Sequence, residues 1–249
     1  MAGGRGCGCA GIGGDGIVLI LPDAEADFRM RMFNADGSEA EMCGNAIRCV
    51  AKFVYDRGHT RKETLRVRTG RGILTLALTV AEGVVRTVRV DMGEPILNGP
   101  DIPVRVNRNP VVREPIALAD GRRYEFTAVS MGNPHAVIFV DAISDEHVLR
   151  DGRELELHPL FPKRINVEFV QVLSRREVRM RVWERGAGET MACGTGASAV
   201  GVACALNRLT ERDLTVHLLG GDLRITWADN NHVFMDGPAT FAFEGTVEI

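Results

Sequence analysis

The strongest constraint on the fold is an internal repeat, because the two halves of the chain match each other at an offset of 150 residues. In each half a glutamate precedes a cysteine by four residues, and a glycine follows that cysteine directly. The matched residues are Glu39 and Glu189, Cys43 and Cys193, Gly44 and Gly194, Val50 and Val200, and Gly70 and Gly220. Both halves then reach a strand pair that ends in a similar turn, at Met92–Pro95 and at Met235–Pro238. The repeat predicts two similar domains.

Hydrophobic periodicity predicts many strands and only two main helices, which makes the fold class α+β. One helix is expected over 44–56 and the other over 194–207, where small Ala, Val and Gly residues require close packing. We therefore expect two pseudo-symmetric, strand-rich lobes. The predicted strands lie near 17–21, 28–33, 64–68, 72–80, 83–91, 125–130, 135–140, 166–173, 176–183, 214–218, 222–227 and 232–236.

The boundary between the predicted domains falls in a stretch without regular pattern. Asparagines and prolines interrupt the periodicity over 98–118, which indicates a linker. We expect an N-terminal lobe over 1–110 and a C-terminal lobe over 111–238. The apolar tail 239–249 is then free to return and complete the sheet of the first lobe.

Composition and charge exclude several classes of function. A formal net charge of -3 leaves no basic face for nucleic acid, so a small metabolite is the expected partner. No run approaches the roughly 18 apolar residues of a membrane span, and the first residues lack the apolar core of a signal peptide. We therefore expect a cytoplasmic protein that binds neither nucleic acid nor membranes.

Six cysteines in a chain of 249 residues are too few for a disulfide scaffold, and a reducing cytoplasm keeps them as thiols. Cys7 and Cys9 have no second ligand pair at zinc-like spacing, so we expect no metal site. Cys49 and Cys204 fall in apolar helical patterns, where a thiol is usually a small core residue. The remaining pair, Cys43 and Cys193, needs another explanation.

Cys43 and Cys193 each lie where a predicted helix begins. Unpaired backbone N–H groups and the helix dipole at that point favour thiolate over thiol, and they also bind carboxylates. The N–H groups that follow the two cysteines are therefore candidates to stabilise negative charge on a bound carboxylate. These groups belong to Gly44, Asn45, Gly194 and Thr195.

Two thiols that flank one carbon suit the inversion of a proton-bearing carbon, because one face must lose a proton while the opposite face gains one. The alternative interpretation is that each cysteine is a buried packing residue at a tight helix start. The glycines of 11–16 resemble a dinucleotide-binding loop, but they precede a strand instead of following one. The pattern favours acid–base chemistry by two thiols without a nucleotide cofactor.

Five stretches of the sequence together resemble the diaminopimelate epimerase family, and the resemblance covers nearly all of the chain. The stretches are Phe33–Glu39, Cys43–Asn45, Met131–His135, Arg164–Val167 and Glu184–Gly196. The resemblance implies that each lobe is a half barrel of mostly antiparallel strands around a central helix, with the active site in the cleft between the lobes. It also implies a homodimer that uses neither pyridoxal phosphate nor a metal ion.

By the same resemblance, Cys43 and Cys193 are the acid–base pair that interconverts L,L- and meso-diaminopimelate, a step toward lysine and peptidoglycan precursors. His135 and Glu184 are implied to tune the thiols. Specificity is expected to come from the end of the substrate that does not react. A substrate without the second amino-acid head would leave polar groups of the binding site without hydrogen-bond partners, so it would bind weakly. The side chains implied in binding the amino and carboxylate groups are Asn34, Asn133, Asn166, Glu184 and Arg185.

One departure from the family pattern concerns the beginning of the chain. The family normally opens with a strand that carries Gly-Asn-Asp-Phe, and this sequence has no such motif. We expect the first lobe to lack that strand and to expose an unpaired sheet edge. Two alternatives to an active epimerase follow. One is a racemase or isomerase of another small amino acid such as hydroxyproline, and the other is an N-terminally truncated, inactive form that only binds ligand.

Overall fold

The computed structural model describes residues 16–34, 37–40, 42–242 and 244. The chain divides into two compact units, a smaller one that contains residues 16–90 and the chain from 236 onward, and a larger one that contains residues 91–235. No helix among the described residues is long and apolar enough to cross a membrane. Residues 91–110, which the sequence assigns to the first lobe, lie in the larger unit. The division into independently folding domains stays a prediction.

The smaller unit is a sheet of five main strands with one helix packed on it. Its elements are β1 (Gly16–Leu21), β2 (Phe28–Asn34), β3 (Glu39–Ala40), α1 (Gly44–Asp56), β4 (Thr64–Thr69), β5 (Gly72–Ala81) and β6 (Val84–Asp91). The strand order is β1-β2-β4-β5-β6, and the short β3 pairs with β2. Helix α1 contacts β2 and β5 and buries Ile47, Val50, Ala51 and Val54. Apolar residues at this spacing form one stripe of a helix, which explains the docking of α1 on the sheet.

The larger unit contains the remaining strands and two further helical segments. Its elements are β7 (Glu114–Ala117), β8 (Arg123–Ser130), β9 (Pro134–Phe139), a wide helical turn (Glu146–Asp151), α2 (Gly152–Glu156), β10 (Asn166–Ser174), β11 (Glu177–Glu184), β12 (Gly188–Thr190), α3 (Gly194–Leu206), β13 (Asp213–Leu218), β14 (Gly221–Trp227) and β15 (Val233–Pro238). The strand order is β15-β14-β13-β11-β10-β9-β8-β7, and β12 pairs with β11. A single helical turn at Gly99–Asp101 precedes β7.

Strand pairing within each unit reproduces the internal repeat. The pairs β1–β2 and β10–β11 are antiparallel, and the short strands β3 and β12 add to the second member of each pair. Helices α1 and α3 follow, each 13 residues long. Both units then return to a parallel neighbour, β4 or β13, which begins an antiparallel pair with the next strand. The predicted pseudo-symmetric, strand-rich α+β fold is confirmed.

Helix α3 is buried along most of its length because its side chains are small. The buried residues run without interruption from Gly196 to Cys204, and the helix contacts strands of the sheet from β8 to β14. At Gly201 a Cβ atom would lie 2.5 Å from Cγ2 of Ile225, which is closer than real side chains approach. The small residues that the sequence shows over 194–207 therefore let the strands close around the helix.

The stretch expected as a linker packs into the core of the larger unit. Ile102, Val104 and Val111 are buried in one cluster with Phe126 and Phe161. The prolines interrupt the periodicity of this stretch, but its apolar residues still contribute to the core. The sequence pattern therefore indicated the irregular backbone correctly and missed the burial.

The predicted strands and the two predicted helices all occur, and each end lies within two residues of its predicted position. The predictions missed three short strands, β3, β7 and β12, and the helical segment from Glu146 to Glu156. Strands of two to four residues are too short to show a period of two, so tertiary pairing decides them.

Strand β1 is the end strand of the smaller sheet, and β2 is its only pairing partner among the described residues. Ile17 and Leu19 on β1 are 67% and 41% exposed, and the expected absence of a preceding strand stays a prediction because residues 1–15 lie outside the described residues. The described part of the tail, residues 239–242, forms no strand and packs beside α1, where the Phe241 ring lies 6.4 Å from that of Phe53. Residues 243 and 245–249 lie outside the described residues, so the predicted completion of the sheet stays a prediction.

We expect the substitution Gly201→Ala to lower the free energy of unfolding by about 1–3 kcal/mol, because the new methyl group must displace Ile225 in a packed core. In an Ile225→Ala background the clashing Cγ2 is gone and only the Cβ at 3.1 Å remains close, so most of the penalty should disappear. Thermal or denaturant unfolding of the single and double variants measures this coupling.

The matched control is Ile225→Val, which keeps both γ carbons and removes only the terminal methyl. The Gly201→Ala penalty should persist in that background. Equal penalties in the alanine and valine backgrounds would contradict the steric explanation.

Candidate active site

Cys43 is the N-cap of α1. Its backbone is extended, with φ -136° and ψ 116°, and its carbonyl accepts the first helical hydrogen bond from Ile47 at 3.0 Å. The sulfur accepts a hydrogen bond from the Ala46 N–H at 3.5 Å. The N–H groups of Gly44 and Asn45 belong to the first helical turn, where no intrahelical acceptor exists. The thiol and these donors therefore share one end of the helix.

Arg48 brings a buried positive charge to the same helix start, although sequence analysis does not single it out. Its guanidinium donates to the Gly44 carbonyl at 2.9 Å, to Asn45 Oδ1 at 3.2 Å and to the Pro238 carbonyl at 3.2 Å. Burial lowers the pKa of Arg48, and the neighbouring thiols of Cys49 and Cys43 oppose that shift. The available signal was an arginine on the apolar face of the predicted helix, since arginine is rarely buried without partners.

Asn34 ends β2 and lies in the turn that precedes Cys43 along the chain. Its side-chain amide donates to Ser38 Oγ at 3.0 Å, and its backbone N–H donates to the Ser38 carbonyl at 2.8 Å. Gly37 occupies the left-handed region with φ 84°, a conformation that glycine adopts without strain. The Asn34 side chain is exposed, so a ligand can reach it. Residues 35, 36 and 41 lie outside the described part of the chain.

Cys193 repeats the arrangement of Cys43 at the start of α3. Its φ of -124° and ψ of 109° are again extended, and its carbonyl accepts from Ala197 at 2.9 Å. The sulfur accepts the Gly196 N–H at 3.4 Å and lies 3.5 Å from Thr195 Oγ1. Gly194 and Thr195 occupy the first turn, as Gly44 and Asn45 do in the other unit. The repeat therefore extends to the local geometry of the two thiols.

Cys193 is surrounded by different groups from those near Cys43. The pKa of the Cys193 thiol is raised well above its ordinary value. Burial is the largest cause, and the carboxylates of Glu184 and Glu168 add to it. The Thr195 hydroxyl and the Gly196 N–H lower the pKa without reversing the shift. The helix-start N–H thus favours the thiolate of Cys193, but burial and two carboxylates outweigh its effect on the pKa.

Three predicted substrate-binding residues of the larger unit lie at the ends of β10 and β11. Glu184 ends β11 and accepts a short hydrogen bond from the Thr190 hydroxyl. Asn166, at the start of β10, accepts the Arg185 N–H at 2.8 Å and donates to the Pro134 carbonyl at 3.0 Å. Asn166 is 3% exposed, so its main contacts are with the protein, and it holds the backbone of Arg185 in place.

Glu156 supports the same turn, although it is not among the predicted site residues. This side chain is 5% exposed and accepts hydrogen bonds from the Trp183 indole at 2.8 Å and from the Gly186 N–H at 3.0 Å. The turn that carries Glu184 and Arg185 is thus fixed from two sides. Glu156 lies in the helical segment that the periodicity did not predict, so no signal pointed to it.

A second polar cluster joins Asn133, His135 and Glu168. The His135 Nδ1 lies 2.6 Å from Glu168 Oε1, and its Nε2 lies 3.0 Å from Asn133 Oδ1. His135 and Glu168 are both fully buried. Asn133 and His135 are among the predicted site residues, and Glu168 is not. The signal for Glu168 was a glutamate inside the otherwise apolar run Val167–Val170, where charged residues are rare.

The other cysteines are placed as follows. Cys204 is buried as expected, and burial raises its pKa to about 12. Cys49 is exposed, because it lies beside a cavity of about 310 Å³ between α1 and the residues after Pro238. The expected core position of Cys49 is therefore wrong. Cys7 and Cys9 lie outside the described residues, and within them no three His, Cys, Asp or Glu side chains converge as a metal site requires.

The chain is similar in sequence to a family of known proteins. The family model described as diaminopimelate epimerase matches residues 9–98 and 127–242. The chain belongs to the diaminopimelate epimerase family. The diaminopimelate epimerase of Acetivibrio thermocellus is 58% identical over 240 residues, which cover 96% of this chain and 85% of that protein. That of Methanococcus maripaludis strain S2 is 54% identical over 240 residues, with 96% and 86% covered.

Solved structures that resemble the chain share its fold at low sequence identity. A probable proline racemase from Agrobacterium radiobacter superposes with a TM-score of 0.70 at 16% identity, covering 93% of this chain and 76% of that one. A phenazine biosynthesis protein of the PhzF family from Bacillus anthracis gives a TM-score of 0.67 at 16% identity, with 96% and 86% covered. The chain therefore shares its fold with both of these proteins.

The capping geometry predicts how the cysteines affect stability. Cys193→Ala removes the acceptor of the Gly196 N–H and should lower the free energy of unfolding by about 0.5–2 kcal/mol. Cys193→Ser replaces sulfur by a better N-cap acceptor and should be more stable than the alanine variant. Denaturant unfolding of the two variants measures the difference.

Cys49 provides the control, because it lies inside α1 and is exposed. At that position alanine should be more stable than serine by a few tenths of a kcal/mol, since alanine has the higher helix propensity. The order of the two substitutions is thus opposite at residues 193 and 49. The same order at both positions would count against a capping role.

Proposed function

We propose that this protein is an epimerase that interconverts L,L- and meso-diaminopimelate without a cofactor, with Cys43 and Cys193 as acid and base. Membership of the diaminopimelate epimerase family carries the proposal, at 58% identity over 96% of the chain. The local geometry supports it, since each cysteine caps one of two helices that the internal repeat relates.

The chemistry requires one thiolate and one thiol. The thiolate removes the α-proton, and the electron pair of the broken C–H bond moves into the adjacent carboxylate. The thiol then protonates the carbon on the opposite face and becomes the thiolate. The two cysteines thereby exchange protonation states in each turnover. Backbone donors at the helix starts are suited to stabilise the charge on the carboxylate, because they are fixed before the reaction begins.

Several polar groups are proposed to bind the two amino-acid heads of the substrate. Glu184 is suited to an ammonium group, and the exposed Arg185 guanidinium is suited to a carboxylate. The amides of Asn34 and Asn133 add neutral donors and acceptors, while Asn166 acts mainly by holding Arg185. The backbone N–H groups of Gly44, Asn45, Gly194 and Thr195 complete the proposed set.

Three further features are part of the proposal and follow from the family resemblance. The protein is a homodimer, it works in the cytoplasm, and its product enters lysine and peptidoglycan precursor synthesis. Its partner is the small-molecule substrate.

The decisive experiment follows the α-hydrogen. Incubation of L,L-diaminopimelate with the protein in heavy water should give meso product with deuterium at the inverted α-carbon. Cys43→Ala and Cys193→Ala should each lower turnover at least about a hundredfold, the range expected for loss of an acid or base. Mass spectrometry and chiral chromatography measure both results.

Cys49→Ala is the matched control and should keep full turnover, because Cys49 caps no helix. Proline and hydroxyproline should show no exchange, since they lack the second amino-acid head. Unchanged turnover in Cys43→Ala would refute the two-thiol mechanism. Tight binding of diaminopimelate without exchange would support the inactive alternative instead.

A further inference from the structure

Glu168 is a carboxylate enclosed within the apolar part of β10. It and its neighbours Val167 and Phe169 are fully buried. One oxygen, Oε1, lies 2.6 Å from His135 Nδ1, whereas Oε2 has no hydrogen-bond partner among the described residues. A buried acid with an unpaired oxygen is costly to the fold, so it requires a reason other than packing.

Both ring nitrogens of His135 are engaged. Nε2 lies 3.0 Å from Asn133 Oδ1, and because an amide oxygen only accepts hydrogen bonds, Nε2 carries a hydrogen. The 2.6 Å contact at Nδ1 then places one further proton between Nδ1 and Glu168 Oε1. Burial raises the pKa of Glu168 and the His135 charge opposes this shift, which fits a proton retained within the pair.

Asn133 is the member of this hydrogen-bonded group that reaches the protein surface. It lies half-buried in the turn before β9, and its amide nitrogen has no hydrogen-bond partner in the described part of the chain. A hydrogen bond from His135 to the amide oxygen turns the NH2 group away from the histidine. The amide is thus held as a hydrogen-bond donor toward solvent or ligand.

The surroundings of Glu168 connect it to the candidate site. A Cβ atom at Gly196 would lie 2.8 Å from Glu168 Oε1 and 3.3 Å from Cys193 Sγ, so the acid and the thiol border the same narrow space. The titratable and charged groups that face Glu168 are His135 from β9, Glu184 from β11 and Cys193 before α3.

We propose that Glu168 is a positioning residue for substrate binding: it holds His135, and His135 in turn fixes the Asn133 amide with its NH2 group presented to a substrate carboxylate. An amide that is oriented in advance loses less freedom when the ligand binds. In this arrangement His135 orients Asn133, a role beyond the tuning of a thiol that the family resemblance implies. The identity of the substrate rests on the proposed function.

The first test needs no turnover and therefore stands apart from the proposed reaction. In wild-type protein labelled with 15N at histidine and 13C at asparagine, the His135 Nε2 should carry a hydrogen at neutral pH and should show coupling across the hydrogen bond to the side-chain carbonyl carbon of Asn133. A bare Nε2 would overturn the proposal, whatever reaction the protein catalyses.

The second test is Glu168→Gln, which keeps the shape of the side chain but cannot share a proton with His135. At neutral pH the ring then has only one N–H, and where the introduced amide carbonyl accepts that hydrogen at Nδ1, Nε2 is bare and no longer fixes the Asn133 amide. We expect the KM for diaminopimelate to rise about tenfold, as for one lost hydrogen bond, with a smaller change in kcat. Acidification returns a proton to the ring, so the KM defect should shrink as the pH falls.

Glu177→Gln is the matched control, because Glu177 is an exposed glutamate on the neighbouring strand β11. It should leave KM unchanged at every pH. In an Asn133→Ala background, Glu168→Gln should raise KM by less than about twofold, because the amide through which Glu168 is proposed to affect binding is absent. The proposal fails if Glu168→Gln folds and leaves KM unchanged, if its defect does not depend on pH, or if the defect persists in the Asn133→Ala background. Should the variant not fold, the wild-type histidine spectrum decides.

Discussion

A sulfur atom that accepts a backbone N–H at the start of a helix is the interaction on which the candidate site depends. It occurs twice, at Cys43 and at Cys193, with the same extended backbone and the same spacing to the donor. The cap fixes each thiol beside the first helical turn, where backbone donors are left for a ligand. The hydrogen bond that caps each helix therefore also positions its thiol, and the internal repeat produces this arrangement in both units.

The larger unit contains buried acids whose hydrogen-bond partners lie on other elements. Glu156 takes hydrogen bonds from Trp183 and Gly186, and Glu168 contacts His135. Buried carboxylates are tolerated when hydrogen bonds replace water, and in return they fix the groups that donate to them. The turn at Arg185 and the ring of His135 are thus held by the interior of the protein.

The sequence predicted the regular part of this structure well because its signals were strong and local. Apolar alternation located the long strands, and the small residues of 194–207 indicated a buried helix. The internal repeat identified both thiols. A single cysteine at a helix start would not indicate function, but two cysteines at equivalent helix starts do. Glu156, Glu168 and Arg48 escaped because their roles arise from partners far along the chain, such as Trp183, His135 and Pro238. The burial of 102–111 escaped for the same reason.

The repeat duplicates the backbone around the cysteines but not what surrounds them. Helix α1 is amphipathic and carries a buried guanidinium one turn from its cap, whereas α3 is enclosed by strands and its cap lies near two carboxylates. The two helix starts thus share a backbone geometry but differ in the charged groups beside the sulfur, which are a guanidinium at Cys43 and two carboxylates at Cys193. Under the proposed function, the forward and the reverse reaction therefore begin at thiols with different charged neighbours.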